Sequence, residues 1–370
     1  MNYNNQFRHD DFYKAIYFPD YEPRRTKNII SRVFLALCVY TLLSYAVVFL
    51  AELFVILKFG RENARTILES PYYIFAIQIL SMYIIALPVF LLICRTGITK
   101  LTQERAAKLI NQKAHSFMSV EEFVVCFFIS TALMILGGLV SNAFTGVLSG
   151  VLGHTIENST AELIEKTPIW LVILVAVIIG PIFEEFIFRK TMIDILGEFG
   201  RSYAIFVSAI SFGLFHGNFS QVLYASLLGF VLGYVYVKTG KLIYTIIFHC
   251  AINLFTGVFA AYATSGPAVE EFLKIIEDET LIYDYEKLAT LIEPYALQLI
   301  PYLIYSYVLM GLSIAGFVIF FILTLRRKIT LEQGILPPEN NHTFSNFFLT
   351  TGVASAVAFV AFKFIFSIII

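Results

Sequence analysis

The sequence predicts an all-α integral membrane protein, a polytopic helical bundle with about eight or nine transmembrane helices. The chain has 370 residues, of which 58% are hydrophobic and only 14% are charged. Soluble domains are about half apolar and a quarter charged. The apolar residues recur in separate runs, most of them long enough to cross a hydrocarbon core of ~30 Å. A net charge of −1 also argues against a nucleic-acid partner.

Nine apolar runs are candidate transmembrane spans. They lie at 29–57, 72–94, 120–146, 168–196, 202–216, 221–237, 242–264, 298–325 and 346–368. The fifth is short for a full crossing, and the fourth is long, which suits a tilted helix. The residues Ser119-Val120-Glu121-Glu122 match a capping box and predict where the third helix begins.

The connecting segments predict how these spans are oriented. Lys and Arg cluster before the first span and after spans two, four, six and eight. Segments 153–167 and 266–297 are acidic instead. The positive-inside rule therefore predicts a cytoplasmic N-terminus and, with nine spans, an outer C-terminus. Residues 1–27 are polar, so no cleavable signal peptide is expected.

The fourth span carries charges that lipid does not favour. Glu184, Glu185 and Arg189 follow directly on an apolar run. A charge at the bilayer centre costs at least roughly 2.5–3.5 kcal/mol, so such residues are functional candidates. Glu185 and Arg189 are four residues apart and can pair on a helix. Glu184 is rotated by about 100° from that pair and needs another partner.

Three polar residues in later spans are candidates for that partner. His216 ends the fifth span, four residues after Phe212, and His249 and Asn253 share a face of the seventh. Counted from the predicted cytoplasmic ends, Glu184 and these three side chains lie at depths of roughly 12–22 Å. Either histidine alone is more typical of a hydrogen-bonded packing residue, and Glu185 with Arg189 of an orienting ion pair. Together, the four side chains predict a site.

These motifs resemble those of the CAAX protease and bacteriocin-processing family, which includes the type II CAAX prenyl endopeptidases. The resemblance rests on Glu184-Glu185-Phe186-Ile187-Phe188-Arg189, then Phe212 to His216, then His249 to Asn253, in that order on successive helices. It covers about residues 165–265. It implies an intramembrane protease in which Glu184, His216, His249 and Asn253 are catalytic, and Glu185, Arg189 and Phe212 support them.

With this resemblance the chain divides into five predicted segments. They are a cytoplasmic N-terminal segment (1–28), N-terminal transmembrane helices (29–150), the catalytic membrane core (165–265), an extracytoplasmic acidic loop (266–297) and C-terminal transmembrane helices (298–370). The acidic loop is expected to contain an amphipathic helix at Val269 to Ile276.

Peptide hydrolysis needs an activated water, donors for the oxyanion and a proton for the leaving amine. Glu184 with His216 is suited to hold and deprotonate the water, because burial makes a carboxylate a stronger base. His249 and Asn253 can donate to the oxyanion. The alternative is a metalloendopeptidase-like site in which Glu184, His216 and His249 bind Zn²⁺. Metal-independent hydrolysis is favoured because Asn253 is a good oxyanion donor and a poor zinc ligand.

The expected function is hydrolysis of membrane-associated peptides or proteins. By resemblance the substrates are CAAX-type prenylated tails or precursors of bacteriocins and peptide pheromones, and a bacterial plasma membrane is the expected location. One alternative is a non-catalytic immunity or scaffold protein on the same fold. A proton-coupled transporter is a further alternative, but it predicts an internal repeat that the sequence lacks.

Overall fold

A computed structural model describes residues 23–95, 117–154, 163–164, 166–197, 200–278, 281, 284–326, 352–357 and 360. These residues are mostly helical and include no strand, as the all-α prediction requires. The principal helices are α1 (Pro23–Leu68), α2 (Pro71–Arg95), α3 (Val120–Leu152), α4 (Ile169–Leu196), α5 (Arg201–His216), α6 (Phe219–Thr239), α7 (Leu242–Thr264), α8 (Pro267–Glu277), α9 (Tyr285–Ile292) and α10 (Ile300–Leu325).

Seven helices in the described part of the chain are long and apolar enough to cross a membrane. They are α1, α2, α3, α4, α6, α7 and α10. The fifth predicted span is helix α5, whose 16 residues cover ~24 Å at 1.5 Å per residue. Most of the ninth predicted span, 346–368, lies outside the described residues, although 352–357 are helical. The chain is therefore an integral membrane protein with a helical fold.

By contacts between Cα atoms the chain forms two compact units. The first comprises Met1–Phe54, Ile77–Lys100 and Pro337–Phe362, and the second Val55–Ala76, Leu101–Leu336 and Lys363–Ile370. Within the first unit, the N–H of Gly352 donates to the hydroxyl of Ser31 at 2.9 Å. All the candidate site residues belong to the second unit. The five segments drawn from the sequence stay a prediction, because function and compactness divide a chain by different criteria.

Helix α3 begins where the capping box predicts. The Glu122 N–H donates to the hydroxyl of Ser119, and the Ser119 N–H donates to the Glu122 carboxylate, each at 3.1 Å. The other oxygen of that carboxylate lies 2.6 Å from Nζ of Lys238. One glutamate therefore starts α3 and also ties it to the last turn of α6.

Glycines allow α5 and α6 to pack closely. A Cβ on Gly229 would lie 2.9 Å from the Cα of Ala209, which is tighter than side-chain contacts allow. A Cβ on Gly213 would likewise clash with α6, at the Ser226 side chain and the Val222 carbonyl. Small residues let helix backbones approach in membranes. This contact fixes α5, and therefore the position of His216 at its end.

The predicted acidic loop contains two amphipathic helices. Helix α8, Pro267–Glu277, contains the predicted stretch Val269 to Ile276 and buries Val269 and Ile275. Helix α9, Tyr285–Ile292, has no buried residue. The amphipathic prediction for this segment is confirmed, with one helix more than the sequence pattern indicated.

Candidate active site

The two adjacent glutamates lie on the most irregular helix of the described chain. Within α4, a short α-helical segment, Gly180–Glu185, lies between two π-helical stretches, Ile173–Ile179 and Phe186–Ile193. A π-helical turn contains more residues than an α-helical one, so it rotates the side chains that follow it. Such turns occur often at functional sites. Here the first π-helical stretch precedes both glutamates and therefore sets the directions of Glu184 and Glu185.

Glu185 and Arg189 form a completely buried ion pair. Nε of Arg189 lies 3.0 Å from Oε2 of Glu185, and neither side chain is exposed. Their alignment is not that of a hydrogen bond, so the contact is chiefly one of charge. Nη1 of Arg189 donates to the hydroxyl of Ser208 at 3.3 Å, and this hydroxyl donates to the Phe188 carbonyl at 2.7 Å. The pairing that the four-residue spacing predicted is present.

The second oxygen of Glu185 holds His249. Oε1 lies 3.0 Å from Nδ1 of the buried imidazole. An ionised carboxylate can only accept, so the hydrogen-bond chemistry assigns the proton to Nδ1 and turns Nε2 away from Glu185. Glu185 thus orients His249 in the way that acceptors beside catalytic and metal-binding imidazoles do.

Glu184 faces the opposite nitrogen of the same ring. Its Oε2 lies 3.7 Å from Nε2 of His249, and the Glu184 side chain is 19% exposed while that of His249 is 3% exposed. The separation is too long for a direct hydrogen bond. A water that contacts both atoms at about 2.8 Å would lie beside the pair, since 3.7 Å is too short for a water to fit between them. His249 is therefore a partner for Glu184, which the sequence left without one on its own helix.

His216 reaches the site through Phe212. Its Nδ1 lies 3.0 Å from the Phe212 carbonyl, which can only accept, so Nδ1 carries the proton. The Phe212 ring makes edge contacts with both imidazoles, with centroid distances of 5.0 Å to His216 and 5.6 Å to His249. The guanidinium carbon of Arg189 lies 4.8 Å from the same ring centroid. Phe212 is the side chain that both histidines and Arg189 share.

Asn253 is engaged with the backbone of α4. Its Nδ2 donates to the Ala176 carbonyl at 2.9 Å. One amide N–H is therefore used, and a second N–H remains on the same nitrogen. The sequence placed Asn253 on the His249 face of α7, which agrees with its contact to α4, but it did not indicate this backbone partner.

Two further residues of the site were missed by reasoning from the sequence. Ser208 is fully buried and links Arg189 to the backbone of Phe188. Ala176 offers only its carbonyl oxygen. Serines are common in membrane helices, and an alanine carries no polar side chain, so neither position gives a signal of its own. Only the helix packing assigns them to the site.

Glu184, His216 and His249, the alternative zinc ligands, are not grouped as a metal site in the described part of the chain. In the described part of the chain, no three His, Cys, Asp or Glu side chains are grouped so that they could hold a metal ion. Nδ1 of His249 is held by Glu185 and Nδ1 of His216 by a carbonyl, so Nε2 would be the ligand of each ring. Metal-independent hydrolysis stays a prediction that chelation can test.

Comparisons with known proteins match the same part of the chain. Residues 166–255 match the family model described as type II CAAX prenyl endopeptidase, Rce1-like. A curated Bacillus subtilis (strain 168) protein called "Putative membrane peptidase YdiL" is 28% identical over 201 residues, which are 54% of this chain and 77% of that protein.

A second relative is shorter in its match. It is "UPF0177 protein YxdF" of Lactococcus lactis subsp. lactis (strain IL1403), 30% identical over 114 residues, which are 30% of this chain and 62% of that protein. No solved structure matches the chain significantly. The matched family segment contains Glu184, Glu185, Arg189, His216, His249 and Asn253.

Proposed function

We propose that this chain, which belongs to the CAAX protease and bacteriocin-processing family, is an intramembrane endopeptidase that hydrolyses membrane-associated peptides by means of a water activated by Glu184. The observation that carries the proposal is the 3.7 Å separation of Glu184 Oε2 from His249 Nε2. It places a carboxylate next to an imidazole whose other nitrogen is already held, so that a single water beside the pair can contact both.

Each step of the reaction has a residue to perform it. Glu184 takes a proton from the water as the oxygen attacks the peptide carbonyl, and later delivers it to the leaving amine. His216, whose Nδ1 is held by the Phe212 carbonyl, assists Glu184 in binding the water. The second N–H of Asn253 and Nε2 of His249, when protonated, donate to the tetrahedral oxyanion. Glu185 and Arg189 hold His249 in place.

The substrate is a peptide that lies in or on the bilayer. Two classes follow from the family: CAAX-type prenylated tails, and precursors of bacteriocins or peptide pheromones. Both relatives described above are bacterial proteins, which favours precursor processing at a bacterial plasma membrane. A non-catalytic scaffold or immunity protein gives no reason to place Glu184 beside the held imidazole of His249.

The test compares peptide termini in membranes of host cells that carry the wild-type protein or the Glu184→Gln variant at matched abundance. The variant keeps the shape of the side chain and loses the base, so we expect the termini produced by this enzyme to disappear. Loss of a general base typically costs about 10²–10⁴-fold in rate. A matched control is Glu52→Gln, an exposed glutamate on α1, which should leave the termini as in wild type.

The other outcomes have defined meanings. If the peptide termini are unchanged in the Glu184→Gln variant and the cells behave as those with the wild-type protein, the non-catalytic scaffold or immunity protein is favoured. A chelator that stops cleavage, and zinc that restores it, would favour a metal-dependent reaction. Prenylated and unmodified versions of the peptide identified by its termini then separate the two substrate classes, because only a CAAX-type enzyme requires the lipid.

A further inference from the structure

The carbonyl of Ala176 has lost both of its ordinary helical partners. In an α-helix this oxygen would accept from the N–H of Gly180, but that N–H donates to the Val175 carbonyl instead. At the five-residue spacing of the π-helical stretch the partner would be residue 181. That residue is Pro181, which has no N–H. The backbone of α4 therefore leaves this oxygen to a group from outside the helix.

Asn253 of α7 supplies that group. Its Nδ2 lies 2.9 Å from the Ala176 oxygen. A backbone carbonyl that lacks a partner is unfavourable in a bilayer interior, where water cannot replace the lost bond, and helix-breaking prolines are tolerated in membranes when neighbouring side chains satisfy the freed groups. The bond between Asn253 and Ala176 is a case of this rule, and it occurs five residues before Pro181.

This bond is a tie between α7 and α4, and the same face of α7 makes a second tie. His249, one turn before Asn253, is hydrogen-bonded to Glu185. The two ties hold α4 on either side of Pro181, at Ala176 and at Glu185. Glu184 lies between them along the helix, so its distance from His249 depends on both.

We propose that Asn253 is a positioning residue: its amide caps the Ala176 carbonyl that Pro181 leaves unpaired, and this cap fixes Glu184 relative to His249. The cap itself stabilises the fold and does not depend on any catalytic activity. The importance of positioning Glu184 for cleavage rests on the proposed function. The role is additional to the oxyanion donor, since the two tasks use different hydrogens of one nitrogen.

A double-mutant cycle of Pro181 and Asn253 tests the cap. Pro181→Ala returns an N–H to the helix, so Ala176 regains a backbone partner through residue 180 or residue 181. We expect Asn253→Ala to lower the melting temperature of the purified protein in detergent. In the Pro181→Ala background the same substitution should cause a decrease at most about half as large. Losses that simply add would overturn the proposal, because they would mean that Asn253 does not replace what Pro181 removes.

A control on the same helix shows whether the coupling is specific. Thr191 donates its hydroxyl to the Phe186 carbonyl at 3.0 Å, within α4 and away from Ala176. Thr191→Ala should cost the same in the wild-type background and in the Pro181→Ala background. If Asn253→Ala alone yields no folded protein, recovery of folded protein in the double variant supports the cap, and its continued absence, with Pro181→Ala itself folded, overturns it.

The pH dependence of turnover tests the positioning of Glu184. The charged and titratable groups near Glu184 are Glu185 and Arg189 on its own helix and His249 on α7, and His216 of α5 shares the Phe212 ring with His249. If the cap sets these distances, Asn253→Ala shifts the acid limb of the pH–rate profile, and adding Pro181→Ala returns it. Loss of an oxyanion donor alone lowers kcat without moving that limb. An unmoved limb would overturn the positioning role.

The stability cycle needs no substrate, so it gives a result even if the chain cleaves nothing. If the effects of Pro181→Ala and Asn253→Ala on stability are not coupled but cleavage is normal, the proposed cap is wrong and the proposed function stands. Coupling without any cleavage, in wild type or variants, would keep the cap and remove the proposed function.

Discussion

Glu185 uses both carboxylate oxygens inside the protein, one on Arg189 and one on His249. Because the whole group is buried, each charge depends on the other for its stability. Breaking a buried ion pair leaves an uncompensated charge and typically costs about 3–5 kcal/mol. Arg189 would be that charge if Glu185 were lost. The pair therefore supports the fold as well as the orientation of His249.

The prediction at the residue scale is that Glu185→Ala lowers the free energy of unfolding by about 3–5 kcal/mol. Denaturant titration in detergent measures it. The chain offers a matched control in Arg65 and Glu69, also four residues apart at 2.7 Å, whose side chains are 79% and 64% exposed. Glu69→Ala should leave the unfolding curve unchanged, since exposed pairs contribute little. Equal effects of the two variants would contradict the importance of burial.

At the scale of elements, the contact between α5 and α6 decides where His216 stands. This contact depends on Gly229 and Gly213, whose missing Cβ atoms make room for the neighbouring helix. The distance is set by backbone atoms, so it cannot be relieved by a change of side-chain rotamer. Helix packing of this kind turns small residues in the sequence into a fixed position for the side chain of His216.

We expect Gly229→Ala to destabilise the protein by about 1–3 kcal/mol, as overpacking does, and to lower cleavage by displacing His216. The control is Gly146→Ala on α3, where an added Cβ meets no heavy atom within 4 Å. There, alanine should be neutral or stabilise the helix by up to about 1 kcal/mol. Thermal unfolding and peptide cleavage of both variants measure the difference. A tolerated Gly229→Ala would show that α5 and α6 can separate without consequence.

At the scale of the whole molecule, the topology depends on helix α5. Its 16 residues reach ~24 Å, less than a hydrocarbon core of ~30 Å. The sequence predicts that it crosses, which puts residue 108 inside and residue 286 outside with five spans between them. If α5 did not cross, only four spans would separate these residues and both would lie on one side.

Labelling of introduced cysteines with a membrane-impermeant thiol reagent distinguishes the two cases. We expect Glu286→Cys to react in intact cells and Lys108→Cys to react only after permeabilisation. The wild-type protein is the blank, because its four cysteines are buried or half-buried. Reaction of both positions from the same side would show that α5 does not cross. If Lys108→Cys reacted in intact cells and Glu286→Cys did not, the orientation of the protein in the membrane would be the reverse of the predicted one.

The sequence by itself determined the class of the protein, the helix that carries the glutamates and the contacts within helices. Composition fixes the solvent as lipid, and lipid restricts the chain to helices whose backbone is internally bonded. Spacing of three or four residues then predicts neighbours on one helix. The ion pair of Glu185 with Arg189 and the capping box of Ser119 with Glu122 follow from this rule.

Only the tertiary structure decided which side chains meet between helices. Such contacts depend on how each helix is rotated about its axis, and the π-helical stretches of α4 change that rotation in a way that the spacing of residues does not reveal. This is why His249 lies beside Glu184, why Glu185 holds the same histidine, and why Asn253 meets the carbonyl of Ala176. The sequence supplied the groups, and the packing of α4 against α7 chose their partners.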